Sequence, residues 1–396
     1  MTIHETMGKN SEPSLVIVDG PSISPLKQGK TVSTAAVGPW RLVAGKMVRQ
    51  KVAMLAGAII LFLYFVGLFA EVIAPSLPST SKPQYTYAPP QGISFFVTRP
   101  DGSSEFNFHV KGYKIEIEKV ALRRTFVVDD NKVVPIGFFV KGPAYQLWGL
   151  IPMDRHLIGP INLNDPMYLL GTDRLGRDVF SRLVYGTRVS MSIGLVGVAM
   201  SLILGVVFGS ISGFYGGWVD TVIQRAIEVI SAMPTIPLWL GLAAAIPITW
   251  SPLSVYFVIT IIVSFLGWTS LAREVRGRFL ALRGEDFVTA AKLDGSSEAR
   301  LIFRHILPSL TSHILAVVTL AVPTMIVAET SLSFLGIGLK PPVVSWGVLL
   351  QDAQNIRTVA TAPWLLIWPS LAVVVAVLSF NFFGDGLRDA ADPYDN

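Results

Sequence analysis

The sequence predicts an all-α polytopic membrane protein: six transmembrane helices, both termini inside (N-in/C-in), and a small β-rich extracytoplasmic insert between helices 1 and 2. Three observations carry this reading. The 396-residue chain is 51% apolar and only 15% charged, where a soluble protein carries about 25% charged residues. Four stretches have no charge: 19 residues between Lys51 and Glu71, 31 between Arg188 and Asp220, 44 between Glu228 and Arg273, and 27 between Arg357 and Asp385. Between the first two of these lies a long segment of different texture, polar and alternating.

Taken in order, residues 1–50 are rich in Ser, Pro, Gly and basic residues and read as a largely disordered, basic cytoplasmic tail. They are no secretory signal, because the first apolar run starts only at Val52 and lacks a small-residue cleavage pattern. Crossing the hydrocarbon core takes roughly 20 residues, which places the first transmembrane helix in 51–75. The second span falls near 189–213. The 44-residue run is too long for one span, and "PITWSP" (247–252) divides it with two prolines, giving spans near 229–247 and 253–272. A run interrupted only by His313 supplies 309–328, and the last span falls near 363–383. With the N-terminus inside, the inner segments carry 16 Lys and Arg and the two short outer loops 2, as the positive-inside rule requires. "GTDRLGRDVFSRLVYGTR" (171–188) puts four Arg on the outer side, at the end of a translocated segment long enough to escape that rule.

The insert spans 76–170. "ISFFVTRPDGSSEFNFHV" offers strand-like runs around an Asp-Gly turn. "GYKIEIEKV" alternates with period two, and "TFVVDDNKVVPIGFFV" reads as a second hairpin. Such a domain serves either as a docking surface for a soluble partner or as a structural elaboration. Cysteine is absent, which excludes disulfides, thiolate metal sites and cysteine nucleophiles.

Within the 171–396 core, the polar segment 272–308 interrupts two apolar stretches. In "DFVTAAKLDGSSEARLIFRHILPS" (286–309), Phe287, Ala290 and Ala291 share one face of a short helix. Gly295 stands where a helix C-terminus needs positive φ, and Ser296 or Ser297 can cap a second helix. There Ala299, Ile302, Phe303 and Ile306 repeat at helical spacing, Arg300 and Arg304 lie four apart, and Leu307-Pro308 ends the segment. The spacing predicts two amphipathic helices at an angle along the cytoplasmic face. Five acidic residues among seven basic ones favour docking of a protein over rest on anionic lipid.

"AAKLDGSSEARLIFRHILP" (290–308) resembles the EAA motif of bacterial ABC-importer permeases, with Ala290, Ala291, Gly295, Leu307 and Pro308 in register, Thr289 in place of the Glu and His305 in place of the Ile. "LLGTDRLGRDVFSRLVYGTRVS", "SGFYGGWVDTVIQRAIEV", "VAETSLSFLGIGLKPPVVSWGVLL" and "FNFFGDGLRDAADPYD" look like the C-type permease of dipeptide/oligopeptide importers. The resemblance covers 40–75 and 166–396, and the insert matches a longer subgroup. It implies half of a translocation pathway in the bacterial cytoplasmic (inner) membrane, for peptides or similar small solutes. The implied partners are a second, B-type permease, two cytoplasmic ATP-binding subunits, an extracytoplasmic solute-binding protein and the lipid bilayer, with no nucleic acid. ATPase coupling is then expected at Asp286, Ala290, Ala291, Gly295, Arg300, Arg304, Leu307 and Pro308.

No cofactor, metal site or catalytic residue is expected. "GKT" at 29–31 lacks the P-loop's first Gly, because Ser24 stands there, so ATP hydrolysis belongs to other chains. The five His show no ligand spacing. Asp173, Arg174, Arg177 and Asp178 form a charge cluster at the outer mouth, either structural or facing the binding protein. Glu71, Glu329, Thr330 and Asn381 lie near span ends, where snorkelling or capping is expected. Pro234, Pro237, Pro323 and Pro369 are candidate kinks. The rival reading is a self-contained secondary transporter or channel, which needs ionisable groups deep in the membrane or paired broken helices.

Overall fold

The computed structural model describes residues 39–98, 104–117, 124–247 and 249–391. The tail read over 1–50 lies outside the described residues as far as 38, and Pro39–Arg49 form a helix, α1. Then come α2 (Lys51–Leu68), the short α3 (Ala70–Ile73), and the strands β1 (Ile93–Thr98), β2 (Ser104–Ile117), β3 (Arg124–Leu147) and β4 (Ile151–Pro160). The core follows as α4 (Val179–Tyr215), α5 (Gly217–Ala232), α6 (Thr235–Ala244) and α7 (Pro252–Leu282). The elbow is built from α8 (Asp286–Leu293), α9 (Glu298–Arg300) and α10 (Leu307–Ser309). It leads to α11 (Thr311–Phe334), α12 (Trp346–Gln351), α13 (Ile356–Thr361) and α14 (Trp364–Ala391).

Among the described residues, α2, α4, α7, α11 and α14 are each long and apolar enough to cross a membrane. The chain is a mostly helical, polytopic membrane protein. The third span expected at 229–247 is not one helix: α5 and α6 meet at 84°. Pro234 has no N–H to continue α5, and it holds Met233 extended at φ −75°, ψ 133°. The count is therefore five spans, or six if the bent pair is one. Pro323 and Pro369, in contrast, lie inside continuous helices.

At 37 residues, α4 is about 55 Å long, well beyond a hydrocarbon core of about 30 Å. It begins ten residues before the expected span because Asp178, not Arg188, sets its start: the Asp178 carboxylate accepts from the N–H groups of Phe180 and Ser181. Arg182 and Arg188 are thereby inside the helix. Gly205, Gly209 and Gly213 recur at four-residue spacing against α7, and a Cβ at Gly209 would come within 2.6 Å of the Ala272 carbonyl oxygen. Small residues at this spacing let two membrane helices approach backbone to backbone. The main apolar core gathers Met191, Ile193, Val198, Ile259, Val263, Ile326, Leu332 and Trp346 from α4, α7, α11 and α12.

The insert is an antiparallel meander in the order β1-β2-β3-β4. The hairpin read in "TFVVDDNKVVPIGFFV" is instead part of one 24-residue strand. β3 pairs with β2 through Pro135 and with β4 from Ile136 onward, and residues 130–132, following Asp129, form a bulge between the partners of Gly112 and Lys111. β2 runs unbroken past it, so the chain has no opportunity to reverse there. The Asp-Gly turn at 101–102 lies outside the described residues. The true hairpin of this half is Trp148–Leu150 between β3 and β4.

Candidate functional site

The elbow sits at one end of α4 and the insert at the other. α7 runs almost directly into the elbow, through Arg283–Glu285. The Schellman pattern closes α8: Ser296 N–H donates to the Ala291 carbonyl (3.1 Å) and Gly295 N–H to that of Lys292 (3.1 Å). Gly295 has φ +79° with nothing within 4 Å of a notional Cβ. Its constraint is conformational, not one of space. The second helix starts at Glu298, widens into a π turn over Leu301–Ile306 and finishes at Ser309.

That π turn corrects the expected faces. Leu301, Ile302 and Ile306 are buried, whereas Phe303 is 64% exposed and Ala299 is exposed. A π turn holds more residues than an α turn, so 301, 302 and 306 point the same way. On α8 the buried residues are Val288 and Ala291; Phe287 and Ala290 face outward. The buried set packs on Leu271, Val275 and Phe279 of α7, with Leu202, Val206 and Phe214 of α4 beside it. Outward the elbow presents Phe287, Ala290, Leu293, Phe303, Arg300 and Arg304, with Asp286, Asp294 and Glu298 around them. Leu293, 84% exposed at the tip, escaped the sequence reading. A Leu immediately before the Asp-Gly that ends a helix was the available signal. Of the expected coupling residues, Asp286, Ala290, Arg300, Arg304 and Pro308 are exposed, Leu307 is half-buried, and Ala291 is a packing residue.

One polar tie joins the elbow to α4, and a second braces the helices behind it. Tyr215, the last residue of α4, donates its hydroxyl to Glu298 (2.8 Å). Behind it, Arg276 of α7 forks onto Asp220 of α5 through Nε and Nη2, each at 2.5 Å. Such a bidentate pair adds geometric definition to charge. A further pair, His313 with Glu274 (2.7 Å), links α11 to α7. Among the described residues no three His, Asp or Glu are grouped as metal ligands.

At the insert end, the four-residue charge cluster divides. Asp173 is buried and accepts from Arg177 Nε (2.6 Å), Arg182, and the N–H groups of Leu175 (2.8 Å) and Arg177 (3.0 Å). Asp178 is buried as the α4 cap. Only Arg174 reaches outward, to Asp352 at 3.2 Å, and it stays largely exposed. Burial pushes the Asp178 carboxyl from 3.8 to about 6, with Ser181 and Phe180 pulling it down and Asp173 adding to the rise. Because the folded value exceeds the unfolded one, this group's favourable contribution is complete below about pH 4 and is lost as pH rises through about 6. Asp178→Asn keeps an acceptor for the cap and removes the charge. The variant's melting temperature is expected to rise relative to the parent as pH goes from 5 to 8, by the equivalent of about 1–3 kcal/mol. A gap that stays constant across that range, measured by thermal scanning in detergent, refutes the assignment.

Glu71 and Glu329 correct the snorkelling expectation, since both are buried. Glu71 is gripped by Arg188, whose guanidinium also donates to the Gly67 (2.7 Å) and Leu68 (3.0 Å) carbonyls at the end of α2. Burial pushes the Glu71 carboxyl up, and the Arg188 hydrogen bonds outweigh that and hold it below the usual range. Glu329 accepts from Ser333 (2.8 Å), Ser345 (2.7 Å) and Ser190 (3.4 Å). Ser345 in turn caps α12, and Ser190 accepts from the Trp346 N–H. The carboxyl thus knots α4, α11 and α12.

Residues 205–394 match the family model described as binding-protein-dependent transport system inner membrane component, and residues 38–90 that of the N-terminal TM domain of oligopeptide transport permease C. The oligopeptide transport system permease protein OppC of Bacillus subtilis is 39% identical over 223 residues, 56% of this chain and 70% of the relative. This chain belongs to that permease family. The dipeptide transport system permease protein DppC of Alkalihalophilus pseudofirmus is 38% identical over 224 residues, 56% of this chain and 71% of its own length. Among solved structures, inward facing conformations of the MetNI methionine ABC transporter show 15% identity and a TM-score of 0.43, over 53% of this chain and 97% of that one. By its family and the relatives it matches in sequence, the chain is a membrane-spanning permease subunit of an ABC importer, and in this family ATP is hydrolysed on separate subunits.

Proposed function

We propose that this permease carries peptides or peptide-like solutes across the bacterial inner membrane as half of a pathway completed by a B-type permease. In this reading the elbow end and both termini face the cytoplasm, and the insert faces outward, toward a solute-binding protein. Coupling passes through the elbow to ATP-binding subunits. The observation that carries the proposal is the elbow's outward face: exposed Leu293, Phe287 and Phe303 beside Arg300 and Arg304, on a mount fixed to α7 and α4. A cleft on an ATPase can bury those apolar groups and draw the elbow inward or outward. α7, packed closely on α4, transmits that displacement along the bundle. Solute is then passed from the binding protein to an outward-open pathway and released when the pathway opens inward.

The test is to tag this chain at its natural level, purify it in mild detergent and identify what accompanies it. A second permease and ATP-binding subunits are expected, and Leu293→Asp is expected to release the ATPases while the second permease stays. A chain that purifies alone and moves solute in liposomes without ATP overturns the proposal in favour of a secondary transporter.

A further inference from the structure

The hairpin that joins β3 to β4 bears an unusual tip. "LWGLIP" (147–152) holds no charge, while the segments linking β1 to β2 and β2 to β3, "RPDGSS" and "EKVALR", each carry charges of both signs. Trp148 and Gly149 both have positive φ, +53° and +72°. For a bulky Trp this backbone is uncommon and unfavourable, so something must hold it. What holds it is α2: the indole Nε1–H donates to the Leu68 carbonyl (2.8 Å), and the ring packs on Phe69 at 5.9 Å, which packs on Phe65 at 4.9 Å.

This contact sets the height of the hairpin. Leu68 is the last residue of an apolar span, so its carbonyl marks the level where hydrocarbon ends. Trp148 lies at that level, where indoles concentrate in membrane proteins. Leu150 is two residues away, within about 7 Å of it. Leu150 is 79% exposed, with Trp148 and Ile151 each about half exposed. The patch is continuous with the exposed stripe Leu61, Phe65 and Leu68 on α2, opposite the buried Ala53, Ala56, Ile60 and Gly67.

We infer that the Trp148–Ile151 tip is seated in the lipid interface of the leaflet on the insert side, as an anchor that makes the bilayer part of the insert's support. Lipid is the occupant because the patch extends the apolar surface of a membrane span, at the height of that span's end. The insert is thereby held at fixed height and tilt over the bundle.

The absence of cysteine makes the test direct. Leu150→Cys and, as the aqueous reference, Lys114→Cys on exposed β2 are each labelled with a nitroxide in the assembled transporter. The complexes are placed in phosphatidylcholine/phosphatidylglycerol vesicles, with unsubstituted complex giving the background. Collision rates with oxygen, which enriches in lipid, and with a water-soluble nickel chelate are compared. The expected result is an oxygen-to-nickel ratio several-fold higher at 150 than at 114. Equal ratios place the tip in water, and a label at 150 reached by neither reagent places it against protein. Either outcome overturns the inference.

Discussion

Gly295→Val is expected to lower solute uptake at least tenfold while the chain still inserts and accumulates at its normal level. The residue sits at φ +79° with open space around it, so the substitution meets no clash and acts through the backbone alone. A β-branched residue in the left-handed region costs about 1–3 kcal/mol, and the chain relieves that cost by reopening the turn between α8 and α9. The Schellman bonds from Ser296 and Gly295 are then lost, and Leu293 and Phe303 no longer lie on one surface. Asn tolerates this backbone far better, so Gly295→Asn is expected to retain most uptake. Uptake of a labelled dipeptide, with ATP hydrolysis by the purified complex, reads the effect. Full transport by the Val variant means the elbow's angle does not matter for coupling. Equal loss with Asn means the position senses a side chain, not a backbone angle.

Arg188→Ala is expected to give the largest loss of stability, about 3 kcal/mol, since removing one partner strands a buried opposite charge. Arg188 also supplies donors to the Gly67 and Leu68 carbonyls, the groups a helix C-terminus leaves unsatisfied. Lys at 188 restores charge but not the planar fork and is expected to fall between. The double variant Arg188→Ala, Glu71→Ala is expected to recover part of the loss, because no carboxylate is then left unpaired. The Glu71 contribution is present above its unfolded value and lost as pH falls through the lowered folded one. The gap between parent and Arg188→Ala therefore narrows in acid. Thermal melting of the purified complex at neutral and acid pH checks both statements, and a single variant as stable as the parent removes Arg188 from this role.

Much of the elbow was legible from its residues. Gly before a pair of serines marks the end of one helix and the start of another, and Leu-Pro marks an exit, because these signals act within a few residues. The faces were not legible: on the second helix they follow from the π turn at Leu301–Ile306, which no local residue type announces, and on α8 it is Val288 and not Phe287 that packs with the α7 residues. The cluster Asp173–Asp178 shows the same limit. Its charges suggest an outer surface, yet Asp173 and Asp178 point inward, because Arg182 one helical turn further on and the α4 N–H groups are their partners.

By itself the sequence determined the membrane class, the insert between the first two spans, the break between Pro247 and Pro252 and the Gly295 turn. These depend on apolar run length, on a missing N–H and on left-handed backbone, all properties of adjacent residues. Only the tertiary structure decided that Arg188 binds Glu71 across 117 positions, that Glu329 is shared by three serines, and that β3 runs straight through its Asp-Asp-Asn stretch. Each of these depends on a partner distant in sequence, and hydropathy and spacing carry no information about which distant groups meet.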